Sequence, residues 1–140
     1  IHFDYNMTIM KYIDFLKKND ITPTKQRVEL AEIIFSENKH FTAADLIEVA
    51  GHAGLAISQA TIYNTLCLFE KKNILKTIDL QNDCKFYDTN LSPHHHLYNT
   101  STNLLTDIKE EEINFSKLPN LPKSLVIEKT EVLIKVKNKD

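Results

Sequence analysis

Apolar positions recur at helical spacing through the first half of the chain and alternate through much of the second. Ile9, Ile13 and Leu16 stand at i, i+4 and i+7, which predicts an amphipathic helix over 7–19. Ile21-Thr22-Pro23 breaks it, and Thr24 can cap a second helix over 25–37 with Val28, Ala31 and Phe35 on one face. Thr42-Ala43-Ala44-Asp45 has capping-box spacing in an aspartate form and opens a third helix through Leu46, Ile47 and Ala50, with Gly51 as its stop. Ser58 caps a fourth over 59–72, where Ile62, Leu66 and Phe69 repeat the helical spacing and Asn73 ends it. Two short alternating runs, 75–80 and 84–87, follow around Gln81-Asn82-Asp83, and together they predict a hairpin.

Helices followed by a hairpin, with Gly54 in the turn before the last helix, is the order of a winged helix-turn-helix. In such a fold the last helix enters the major groove and the hairpin flanks it. A helical bundle that binds no DNA has the same order, so order alone leaves both readings open. The polar stretch 89–93 ends in Pro93 and reads as a hinge. Beyond it, 94–98 and 104–108 predict strands, 109–115 a short helix, and 125–136 a long strand with Val132, Ile134 and Val136 on one face. The expected fold is therefore α+β: a winged helix-turn-helix over 1–88, a hinge over 89–93, and a small α/β domain over 94–140. A unit of about 50 residues has too little core to be comfortable alone, so a homodimer is expected. Two reading heads would then match palindromic double-stranded DNA.

Composition narrows this only slightly. A chain of 140 residues, 42% hydrophobic and 26% charged, is ordinary for a soluble globular protein. No run of 18 apolar residues predicts a transmembrane helix, and the first ten residues lack a signal-peptide pattern, so no membrane partner and a cytoplasmic location are expected. Cys67 and Cys84 form neither a CxxC pair nor a disulfide framework; Cys67 suits a small buried or interfacial helix position and Cys84 a core strand position. The net charge of −2 offers no broad field for nucleic acid, so any DNA contact must come from a local patch. Lys25 and Arg27 lie in the first turn of a helix, where the dipole disfavours cations. A phosphate partner would explain them, and so would plain solvation.

The chemistry concentrates at Pro93-His94-His95-His96. On a strand, His94 and His96 share one face and His95 takes the other. Asp88 precedes the triplet, Asp107 follows it by eleven residues, and His40 stands far upstream at the start of the third predicted helix. Mixed imidazole and carboxylate donors suit Fe2+, Mn2+ or Zn2+ better than Ca2+ or Mg2+. A merely polar histidine run is the competing reading. A zinc enzyme built on His40, His94 and His96, or a metal-storage protein, is the competing function.

Four strings carry a resemblance that spans nearly the whole chain. They are Thr24-Lys25-Gln26-Arg27, His40-Phe41-Thr42-Ala43-Ala44-Asp45-Leu46, Ser58-Gln59-Ala60-Thr61-Ile62-Tyr63-Asn64-Thr65-Leu66, and Phe86-Tyr87-Asp88 followed by His94-His95-His96. Together they resemble the ferric uptake regulator family, and within it the iron response and peroxide regulators. The resemblance implies a dimeric, metal-responsive transcription regulator and not an enzyme. Its regulatory metal site would use His40, Asp88, His94, His96 and Asp107. Aspartates at both acidic positions match the peroxide sensors, in which iron-catalysed oxidation would fall on His40 or His94. Haem could reach His94, His95 and His96, although no Cys-Pro motif is present. The paired cysteines that hold a structural zinc in many members are replaced by Asn99-Thr100-Ser101-Thr102, so no four-cysteine zinc site is expected. On the DNA side, Tyr63 is expected at base edges with Ser58, Gln59, Thr61 and Asn64 beside it, and Asn64 can read adenine. Lys17, Lys25, Arg27 and Lys76 are expected at phosphates or the minor groove.

Overall fold

The computed structural model describes residues 2–80 and 85–140. The chain divides into two compact units, residues 1–91 and 92–140.

The first unit contains four helices: α1 (His2–Lys18), α2 (Lys25–Phe35), α3 (Ala43–His52) and α4 (Gln59–Lys71). The three expected N-caps form. Thr24 accepts from the Arg27 N–H, Thr42 from the Asp45 N–H and Ser58 from the Thr61 N–H. At α3 the Asp45 carboxylate also accepts from the Thr42 N–H at 2.9 Å, which completes a capping box.

Three helices end alike, with one residue in the left-handed region. Asp20 (φ 60°), Gly54 (φ 73°) and Asn73 (φ 60°) each close a reciprocal pair of backbone bonds. After α4 these bonds run from the Ile74 N–H to the Phe69 carbonyl and from the Asn73 N–H to the Glu70 carbonyl. Gly51, expected as the stop of α3, lies inside that helix, and Gly54 supplies the positive φ.

Leu16, Leu30, Ile34, Ile62, Leu66 and Phe69 are fully buried in one core. Phe35 links Phe15 and Phe69 across it, at ring-centroid distances of 5.0 and 5.8 Å.

A three-stranded antiparallel sheet completes the unit: β1 (His40–Phe41), β2 (Lys76–Asp79) and β3 (Lys85–Asp88), in the order β1-β3-β2. β2 and β3 form the wing. The Gln81-Asn82-Asp83 turn and Cys84 lie outside the described residues. β1 was not expected. It pairs His40 with Asp88 and Phe41 with Tyr87, whose rings stack at 5.5 Å. His40 therefore sits on a strand ahead of α3.

The second unit is a sheet of order β5-β4-β6, from β4 (His94–Asn99), β5 (Leu104–Lys109) and β6 (Leu133–Val136). β4 and β5 are antiparallel, whereas β6 runs parallel to β4. The helix expected over 109–115 is reduced to a single 3-10 turn at Glu110–Glu112. The long strand expected over 125–136 shortens to its last four residues. β5 and β6 run antiparallel on opposite edges of β4, so the chain after β5 reverses and passes the end of β4 before β6 can pair, and the residues ahead of Leu133 are used in that passage.

Candidate metal centre

In the second unit, strand alternation and register bring three donors together. His94 and His96 are two residues apart on β4, and His96 pairs directly with Asp107 on β5. The two Nε2 atoms lie 3.0 Å apart. Asp107 Oδ1 lies 3.2 Å from His94 Nε2 and 3.4 Å from His96 Nε2. Donors bound at about 2.0–2.2 Å to one tetrahedral or octahedral ion stand about 2.8–3.6 Å from their neighbours. The triangle already has these edges.

His94 also has its tautomer fixed. Its Nδ1 is 2.6 Å from the Ser92 carbonyl oxygen. A carbonyl only accepts, so Nδ1 carries a proton, and in a neutral ring Nε2 presents a lone pair. Both imidazoles are buried, while the Asp107 side chain is 43% exposed.

In the first unit, β1 and β3 hold a second pair of donors. His40 Nε2 stands 3.3 Å from Asp88 Oδ2. Asp88 is buried, and its other oxygen accepts from the Asn90 N–H at 2.9 Å, which aims Oδ2 at the imidazole. Thr89 fastens this end of β3: its N–H donates to the Lys39 carbonyl, and its hydroxyl accepts from the Lys39 N–H.

His95 takes the opposite face of β4. The Val132 N–H donates to its Nδ1 at 3.0 Å, so in a neutral ring the proton is on Nε2. That Nε2 is buried and makes no hydrogen bond among the described residues. Phe115 meets the ring edge-on at 6.0 Å. The histidine triplet is thus divided two and one, and a haem iron could not meet all three from one side.

The residues expected at DNA fall into two sets. Gln59, Tyr63 and Asn64 are exposed on α4, Tyr63 by 52%. Cys67 continues that exposed face one turn after Tyr63, so of the buried or interfacial positions expected for it, it does not take the buried one. Its spacing from Tyr63 carried this information, because a fourth-residue step keeps to one face. Ser58 and Thr61 direct their hydroxyls into the cap, 2.9 Å apart. Lys17 and Lys25 are exposed, whereas Arg27 donates to the Thr22 carbonyl at 2.9 Å. That bond is a structural reason for a cation in the first turn of α2. Lys76 opens β2, in register with Asp88.

The family model described as "Ferric uptake regulator family" matches residues 18–131. The chain belongs to the ferric uptake regulator family. It is 32% identical over 94 residues to a ferric uptake regulation protein of Synechococcus elongatus, a match spanning 64% of each chain. It is 26% identical over 99 residues to the peroxide-responsive repressor PerR of Staphylococcus aureus, covering 71% of this chain and 67% of that one. The chain thus spans somewhat under two thirds of the ferric uptake regulation protein it matches. Its fold is that of the ferric uptake regulator from Pseudomonas aeruginosa with manganese, at a TM-score of 0.72 and 18% identity, covering 92% of this chain and 98% of that one.

Among the described residues, no helix is long and apolar enough to cross a membrane.

Proposed function

We propose that this chain is a metal-responsive, DNA-binding transcription regulator that acts as a homodimer on palindromic operators. The observation that carries the reading is the His94–His96–Asp107 triangle, whose edges fit a bound ion and whose His94 tautomer is already correct. The regulatory ligands are His40 and Asp88 from the first unit and His94, His96 and Asp107 from the second. A divalent ion (Fe2+, Mn2+ or Zn2+) supplies no reaction there; it supplies a crosslink between donors of the two units. Neither set is a full coordination shell alone. His40 and Asp88 sit on the short strands beside the wing, so ligation by both sets fixes the reading head relative to the dimerisation unit.

Tyr63 and Asn64 would read bases from the exposed face of α4, with Lys17, Lys25 and Lys76 at the backbone. The dimer is supported by the apolar surface of the second unit. Phe115, Leu118, Leu121, Leu125, Val126 and Ile127 are all exposed, Val126 by 89%. Membership of a family of regulators favours this reading over a zinc enzyme or a storage protein. The split triplet favours a divalent ion on His94 and His96 over haem on all three histidines.

The test is operator selection with the full chain, with and without Mn2+, Fe2+ and Zn2+. A specific palindromic site bound more tightly with metal is expected. Tyr63→Ala should then cost about 1–3 kcal/mol on that site and relax its sequence preference. Equal loss on all sequences would make Tyr63 structural, and no specific site under any metal condition would remove the proposal.

A further inference from the structure

We infer that Glu70 is the positioning residue that sets the wing relative to the recognition helix and thereby supports DNA discrimination; this rests on the DNA-binding reading above. Glu70 lies in the last turn of α4, and its carboxylate reaches both strands of the wing. Oε1 accepts from the Thr77 hydroxyl of β2 at 3.2 Å. Oε2 pairs with Lys85 Nζ of β3 at 3.3 Å. Lys85 is held further by the Tyr87 ring, with its ammonium 5.5 Å from the ring centroid.

The hairpin follows α4 after the left-handed residue Asn73, and the buried Ile74 and Leu75 anchor its base, so only its outer part is left to be positioned. β1 pairs with β3 only at Tyr87 and Asp88, so the outer part of the ribbon, toward Asp79 and Lys85, has no third strand to fix its angle to the helix. One carboxylate bonded to both strands removes that freedom. The distance from Tyr63 and Asn64 on α4 to the wing cations Lys76 and Lys85 is then set by Glu70.

β3 also links this clamp to the metal ligands. Lys85 and Asp88 are its two ends, three residues or about 10 Å apart at strand rise. A shift at Asp88 therefore acts on a strand whose far end Glu70 holds.

The pair is half exposed, so it contributes little to stability. Its effect belongs in recognition. Removing an acid near DNA also raises non-specific affinity, so bare affinity is the wrong readout. The ratio of specific to non-specific binding, with hydroxyl-radical footprints, separates the two effects.

For metal-loaded full-length Glu70→Ala we expect that ratio to fall about tenfold. Protection of the backbone flanking each half-site should be lost, with the central major-groove contacts of α4 retained. Glu70→Gln keeps an acceptor for Thr77 and should fall between. The double variant Thr77→Val/Lys85→Met leaves Glu70 in place, removes both partners, and should reproduce the loss even if Glu70→Ala folds poorly. An unchanged ratio and an unchanged flanking footprint in the double variant would overturn the inference. Absence of specific binding by the unmodified protein would instead mark failure of the regulator reading.

Discussion

At the scale of single residues, hydrogen-bond partners assign the roles of three adjacent histidines. His94 gives its Nδ1 proton to the Ser92 carbonyl and keeps Nε2 for a ligand, whereas His95 has its Nδ1 taken by the Val132 N–H. In a calorimetric titration with Mn2+, His94→Ala or His96→Ala should lose more than about tenfold in affinity, and His95→Ala should lose less. Equal losses at all three would contradict the division. Affinity should also fall toward acid pH, because ligation requires neutral imidazoles.

Tyr87 gives a second residue-scale prediction. Burial raises its hydroxyl above the ordinary tyrosine value, against the pull of Lys85 and with the help of Glu70. The unfolded chain therefore gives up this proton first, near pH 10, and the folded chain only at higher pH. Stability from this group is complete below pH 10 and is lost as pH rises through the raised value. Urea midpoints at pH 8 and pH 11 should show a smaller alkaline loss in Tyr87→Phe than in the unmodified protein. The placing of His94 and His96 on one face of β4 was legible in the sequence because strand side chains alternate with period two. The opposite tautomers of His94 and His95 were not, because they depend on a carbonyl and an amide that no side-chain pattern reports.

At the scale of elements, local chemistry was legible wherever the partner is close in sequence. Thr24, Thr42 and Ser58 cap the helices they were expected to cap, and each bond closes over three residues. Asn73 ends α4 by taking φ 60°, which costs a residue with an ordinary side chain roughly 1–2 kcal/mol. Asn73→Ala should therefore lower the melting temperature by several degrees, and Asn73→Gly should not. An unchanged melting temperature in the alanine variant would contradict this account of the cap.

Elements defined by distant partners were harder to see. β1 is two residues long and exists only because β3 lies beside it. β6 occupies the last four residues of the strand expected over 125–136, since only those stand in ladder register with β4. The turn after β4 is tied by side chains and not by a thiol pair. Asn99 Oδ1 accepts from the Ser101 and Thr102 N–H groups, Asn99 Nδ2 donates to Asn138, and the Asn138 N–H donates to the Ser101 hydroxyl at 3.0 Å. Ser101→Ala should cost about 0.5–1.5 kcal/mol in denaturant unfolding, the usual worth of a neutral hydrogen bond. A chelator should leave the fold of this unit unchanged.

At the scale of the whole molecule, the two units differ in self-sufficiency. The first buries a continuous core from Tyr12 to Tyr87. The second buries Tyr98 and Leu105 among its apolar residues and leaves a long row of them in water. Sedimentation should find a dimer, and Leu125→Asp/Val126→Asp should shift it toward monomer while leaving the helical signal of the first unit intact. A monomeric unmodified protein would contradict the proposed assembly.

The proposed function requires donors from both units to hold one ion and so control DNA binding. The most direct measurement is the affinity of the full chain for its selected operator across a Mn2+ titration, made in parallel for the unmodified protein, His40→Ala and His96→Ala. Metal-dependent tightening is expected in the unmodified protein, with its loss in both variants, one from each unit. Retention of the full metal response in His40→Ala, with loss only in His96→Ala, would confine the ion to the second unit and rule out control through a shared ion.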